Sequence, residues 1–185
     1  MDVSLIFWSI SILLGAITVY LTYRQITIRR TLSAAEEYIK IHDKITVLGS
    51  REKTVELLSE IVDRAENGDI AFGHCRICTG YPQKFFTSLS TAVARGVKFQ
   101  AVIIEKPESR EFIDFLLGLD PRYVEVRKPK SEIYSSVFGI RGKEVLICYH
   151  MIDRSIGIHF KDSVTTKYIE IAFDKIWEEA ERIGR

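Results

Sequence analysis

Histidine and cysteine are scarce in this 185-residue sequence, with four and three copies, and no histidine lies between His74 and His150. Cys75, Cys78 and Cys148 form an odd set, and a disulfide framework is not expected from them in a reducing compartment. Proline occurs only four times, and no Pro/Gly/Ser-rich stretch or internal repeat is present, which excludes a long flexible linker and a solenoid. An excess of positive charge is also missing: 26 Lys and Arg stand against 25 Asp and Glu. A protein that binds nucleic acid by neutralising phosphates is usually clearly basic, so nucleic acid is not expected as a partner.

One long charge-free run is present, at residues 3–23 (VSLIFWSISILLGAITVYLTY). As a helix rising about 1.5 Å per residue it spans roughly the 30 Å of a bilayer core. Asp2 in place of a basic leader, the length of the run and its closing Tyr20 and Tyr23 argue against a cleaved signal peptide. The tyrosines suit a membrane interface, and Arg24, Arg29 and Arg30 follow them. The positive flank predicts a single-pass protein of the cell membrane with its N-terminus outside and the rest cytoplasmic. Residues 1–23 are therefore read as the anchor, 24–43 as a helical connector and 44–185 as the domain. Beyond residue 30 the chain has 23 basic and 24 acidic residues.

Within the domain, period-2 and period-3.6 segments alternate. Residues 44–48 read as a strand, and Ser50 as the cap of a helix with Val55, Leu58, Ile61, Val62 and Ala65 on one face. Residues 69–75 form a second strand. A helix carrying Phe85, Phe86, Leu89, Ala92 and Val93 ends at Arg95-Gly96, and a third strand covers 97–104. Pro107 opens a helix closed by Gly118, and 123–127 is a strand. The stretch 128–147, KPKSEIYSSVFGIRGKEVLI, is strand, turn at Arg141-Gly142-Lys143, and returning strand. A strand at 156–160 and a helix capped by Asp162 complete an α/β fold with a mixed sheet flanked by helices.

The helix end and strand ARGVKFQAVIIE, the later VEVR strand, the hairpin with its Gly-Lys-Glu turn, and the final helix with Phe173-Asp-Lys-Ile-Trp177 occur in an order that resembles one half of the phospholipase D superfamily. The resemblance spans 45–183. The chain is similar, too, to the ligand-sensing domains of archaeal sugar-responsive transcription regulators, which share the fold without its catalysis. The family signature, His-x-Lys-x4-Asp on the hairpin strand, supplies a histidine nucleophile and a phosphate-holding lysine. Laid on this hairpin, it meets Tyr134, Ser136 and Arg141 instead. An ordinary tyrosine, with a pKa of about 10, is protonated at neutral pH and is a poor substitute. The resemblance thus implies no catalytic residues of the phospholipase D type, and pairing of half-units into a homodimer.

Other groupings have bland alternatives. His159-Phe-Lys161 copies two-thirds of the signature at a strand end, where a solvated pair is the ordinary case. His74, Cys75, Cys78, Cys148 and His150 suggest a metal site, but one Cys-x-x-Cys is weak support, and no metal or cofactor is assigned. The basic loop Arg127, Lys128 and Lys130 suits an anion, or an exposed solubilising turn. Phe85, Phe86, Phe112, Phe115 and Trp177 recur at helical spacing and read as core. The expectation is a membrane-anchored, catalytically degenerate phospholipase D-like domain acting as a ligand-sensing or protein-interaction module. Its candidate binding residues are Tyr134, Ser136, Arg141, Arg127, Lys128 and Lys130, for a small anion or sugar. The alternative is a divergent membrane-associated phosphodiesterase or lipid hydrolase.

Overall fold

A computed structural model describes residues 39–42, 44–76, 80–150 and 155–183. The expected anchor at 3–23 and most of the connector lie outside these residues. No helix among the described residues is long and apolar enough to cross a membrane.

The strands are β1 (Ile39–His42), β2 (Ile45–Leu48), β3 (Ile70–Cys75), β4 (Lys98–Ile103), β5 (Val124–Lys128), β6 (Ser136–Ile140), β7 (Glu144–His150), β8 (Ser155–Phe160) and β9 (Glu181–Arg182). Four α-helices are described: α1 (Arg51–Arg64), α2 (Gln83–Ala94), α3 (Arg110–Gly118), preceded by a 3-10 turn at Pro107–Ser109, and α4 (Ser163–Glu179). One mixed sheet orders the strands β1-β2-β8-β7-β6-β3-β4-β5-β9. Its parallel part, β3-β4-β5, is wound through α2 and α3, as parallel neighbours require. The hairpin β6-β7 joins that part to the antiparallel remainder, with β6 against β3 and β8 against β7.

Alternation along the strands assigns side chains to two faces. Ala71, Cys75, Ala101, Ile103, Ile140 and Leu146 pack beneath α1, α2 and α3, where Ile61, Leu89, Ile113 and Leu116 are fully buried. Phe72, Val102, Val137 and Val145 face the other way, against Phe173 and Trp177 of α4. The helix starts follow local chemistry. Ser50 accepts a hydrogen bond from the Lys53 N–H, and Asp162 from the Thr165 N–H. Gly96, at φ +94, ends α2 in a backbone conformation closed to most side chains.

Two strands differ from expectation. Residues 39–42, read from sequence as the end of a helical connector, form β1, antiparallel to β2. The segment IKIH alternates apolar and polar, and β2 offers it an open edge. The two-residue β9 pairs with β5 across the far edge, where the Ile183 N–H donates to the Val126 carbonyl at 2.9 Å.

Candidate functional site

The carboxyl ends of the three parallel strands converge at one end of the sheet, the usual location of ligand crevices in such sheets. Arg76 directly follows β3, Ile104, Glu105 and Lys106 follow β4, and Lys128 ends β5 and leads into Pro129, Lys130 and Ser131. Together with Glu132 and Ile133 they line a cleft of about 250 Å³. Four basic side chains face two acidic ones. Lys128 pairs with Glu105 at 3.3 Å, and Lys130 approaches Glu181 at 3.9 Å, both pairs in solvent. Arg76 and Lys106 have no ion-pair partner among the described residues. The cleft is thus a locally positive concavity on a nearly neutral domain.

The six residues chosen from sequence separate. Lys128 and Lys130 meet in the cleft. Arg127 turns toward α4, lies 4.0 Å over the Trp177 ring, donates to the Trp177 carbonyl at 2.8 Å and pairs with Glu125. Arg141 also serves α4: it donates to Asp174 and to Gln100, and sits over Phe72 and Phe173. Ser136 is buried on the opposite face, where its Oγ accepts from the Arg76 backbone N–H at 3.3 Å and lies 3.9 Å from the Cys75 Sγ. Tyr134 is 74% exposed, in the segment between cleft and hairpin. Ser136 opens β6 and Arg141 directly follows its end, an odd separation that sends the two side chains to opposite faces of the sheet. The two lysines are the part of the set that the fold brings together.

Arg76 and Lys106 escaped the sequence reading. The signal for them was positional: each is a basic residue within three positions of the end of a run that reads as a parallel strand, Arg76 directly after β3 and Lys106 three past β4.

Cys75 is disulfide-bonded, and Cys148 is a free, buried thiol, its pKa pushed up to about 12 by burial. This corrects the expectation drawn from an odd cysteine count, because parity leaves one thiol over and says nothing of the others. The Tyr81 hydroxyl lies 3.6 Å from the Cys75 sulfur, and burial raises its pKa. His74 leaves β3 on the face opposite to Cys75 and Cys148, so those three do not converge. Among the described residues no cluster of three metal-ligating side chains is present. Burial holds the His74 imidazole neutral, its pKa pushed down to about 4.

His159 is 3% exposed and donates from Nε2 to the Glu144 carboxylate at 2.8 Å. Arg64 grips the same carboxylate with two N–H groups, at 2.9 and 3.1 Å. Although burial opposes ionisation of Glu144, the hydrogen bonds from His159 and Arg64 outweigh it and bring its pKa down to about 2. This is a half-buried ion pair tying α1 to the hairpin on the face away from α4, with Glu144 and His159 buried and Arg64 reaching in from the surface. His159 is therefore neither solvated nor in the cleft.

No protein-family model and no curated protein matches the sequence. Solved structures do match the fold. TrmBL2, an archaeal chromatin protein with a novel mode of DNA binding, is 15% identical, with a TM-score of 0.59 over 99% of this chain and 72% of its own. The phospholipase D family member Nuc from Salmonella typhimurium is 13% identical, with a TM-score of 0.61 over 76% of this chain and 98% of its own. NucT from Helicobacter pylori is 13% identical, with a TM-score of 0.60 over 76% and 99%. The domain has the phospholipase D-like fold.

The exclusion of nucleic acid as a partner does not stand. A DNA-binding chromatin protein shares this fold along nearly the whole chain. Net charge alone leaves room for a local basic surface, because acids elsewhere cancel the total without neutralising the cleft.

Proposed function

We propose that this chain is a membrane-attached, phospholipase D-like binding module that holds a phosphate-rich ligand, nucleic acid, without cleaving it. The observation that carries the reading is the convergence of Arg76, Lys106, Lys128 and Lys130 on one cleft at the carboxyl ends of β3, β4 and β5. Arginine offers a planar fork of donors to a phosphate, and lysines add mobile point charges. No histidine lines the cleft among the described residues, and laying the family signature on the hairpin puts Tyr134, Ser136 and Arg141 at its histidine, lysine and aspartate. Cleavage through a phosphohistidine therefore has no nucleophile to begin it. The DNA binding of TrmBL2 supports nucleic acid over a small anion or a sugar as the ligand. The charge-free run at 3–23 and Arg24, Arg29 and Arg30 support attachment with the domain on the cytoplasmic side. Pairing into a homodimer belongs to the same reading and follows from the half-unit resemblance. Holding a ligand without turnover is the property that a sensor or an assembly platform requires.

The test is fluorescence anisotropy of a labelled oligonucleotide against the full-length chain at several salt concentrations. Each neutralised phosphate contributes a slope of about −0.7 to −0.9 in log affinity against log salt. Engagement of the cleft predicts a slope that becomes shallower in the Lys128→Ala/Lys130→Ala variant, with weaker binding. A salt-independent affinity, or one indifferent to those lysines, rejects the reading.

A further inference from the structure

On the α4 side of the sheet a groove of about 360 Å³ lies between α4 and the strands β6 and β7. It is distinct from the basic cleft: His74 of β3 belongs to the groove, and Arg76 belongs to the cleft. Among the described residues, no carboxylate, ammonium or guanidinium lines it. Tyr149 and Tyr168 stand in its walls, 46% and 71% exposed. Ser135 and Thr165 supply hydroxyls, and Phe173 an apolar surface.

His74 is 8% exposed and stacks on Phe173 with ring centroids 6.5 Å apart. Its Nδ1 has no hydrogen-bond partner among the described residues. A neutral imidazole has one donor and one acceptor nitrogen, so either tautomer leaves unused hydrogen-bonding capacity at Nδ1. Buried polar atoms are nearly always paired, and an unpaired one costs stability until something supplies the missing bond. His74 lines the groove, which places this unused capacity beside whatever occupies it.

We propose that this groove is a binding site for an uncharged ring compound bearing a hydroxyl or N–H group. The ring lies against Tyr149 and Tyr168, and the polar group hydrogen-bonds the His74 imidazole. Aromatic walls favour a flat ring through stacked and edge-to-face contacts. The lack of a charged lining disfavours an ionised ligand, which would lose solvation with no counter-charge to replace it. A concave, mostly apolar lining with a few placed polar groups is the usual form of a small-molecule site, and the volume falls at the lower end of the usual range.

The test follows the ring-nitrogen NMR signals of His74 in the full-length chain during titration with phenol, indole, toluene and benzoate. Phenol and indole are expected to give saturable shifts, with toluene binding on the order of threefold to tenfold more weakly because it lacks the donor. Benzoate is expected to give none. Ala172→Trp, at an exposed α4 position lining the groove, fills the space without touching the core and is expected to abolish the phenol shift. His74→Phe, read through phenol's own signals, is expected to equalise phenol and toluene. Toluene binding wild type as tightly as phenol, benzoate binding as tightly, or undiminished phenol binding in Ala172→Trp each overturns the proposal.

Discussion

Glu144 keeps its charge inside the protein because Arg64 and His159 meet it from two elements, α1 and β8. Arg64 is half-exposed and can turn to water when its partner is lost, so Glu144→Gln is expected to cost about 1.5–3 kcal/mol in urea unfolding, from the hydrogen bonds to the buried carboxylate. Its depressed pKa also fixes an acid limit. The stabilisation is complete above the ordinary carboxylate value of 4.5 and is lost as pH falls toward about 2. His74 acts in a higher window. Between 6.5 and about 4 the unfolded chain accepts a proton that the folded imidazole refuses. Stability should therefore fall by about 3 kcal/mol as pH drops through that interval. Melting temperature against pH checks this: His74→Gln should flatten the slope, and an unchanged slope would assign it to another group. Lys130, 61% exposed at its side chain, should tolerate alanine within about 0.5 kcal/mol. Its loss is expected to appear in binding and not in stability.

The hairpin shows how an element can be legible in sequence while the contacts of its residues are not. Its two strands and its turn were legible from alternation and Gly142, whose φ of +72 suits glycine alone at low cost. Gly142→Ala is expected to cost about 1–2 kcal/mol. The contacts of Arg141 were not legible because they are not local: Asp174, Phe72 and Phe173 come from α4 and β3. Arg141→Ala should cost about 2 kcal/mol and raise hydrogen exchange in α4 more than in α1. Equal protection loss in both helices would reject Arg141 as the clamp of α4. Helices α1 to α4 and the long strands were visible through their periodicity and caps. Strands β1 and β9 were not, because four and two residues carry little pattern and their pairing is decided by open sheet edges. The basic cleft was half legible: Lys128 and Lys130 sit in one loop, whereas Arg76 and Lys106 join them only when three strands align.

At the scale of the whole molecule, a chain with a net charge of +1 carries a positive cleft at one end of its sheet and a half-buried ion pair tying the hairpin to α1. Net charge governs solubility and long-range attraction, whereas a cleft acts within roughly the 8–10 Å Debye length, so the two need not agree. The membrane reading makes its own prediction: a reporter fused after Arg185 should be found in the cytoplasm, and its appearance outside the cell would invert the topology. The central claim is binding without turnover. Incubating the full-length chain with an end-labelled oligonucleotide, at a concentration where anisotropy reports saturation, and then resolving the recovered strand by length tests it most directly. The account predicts a bound strand recovered at full length, with binding reduced in Lys128→Ala/Lys130→Ala. Shortened products that disappear when Tyr134 or Arg141 is replaced would contradict it.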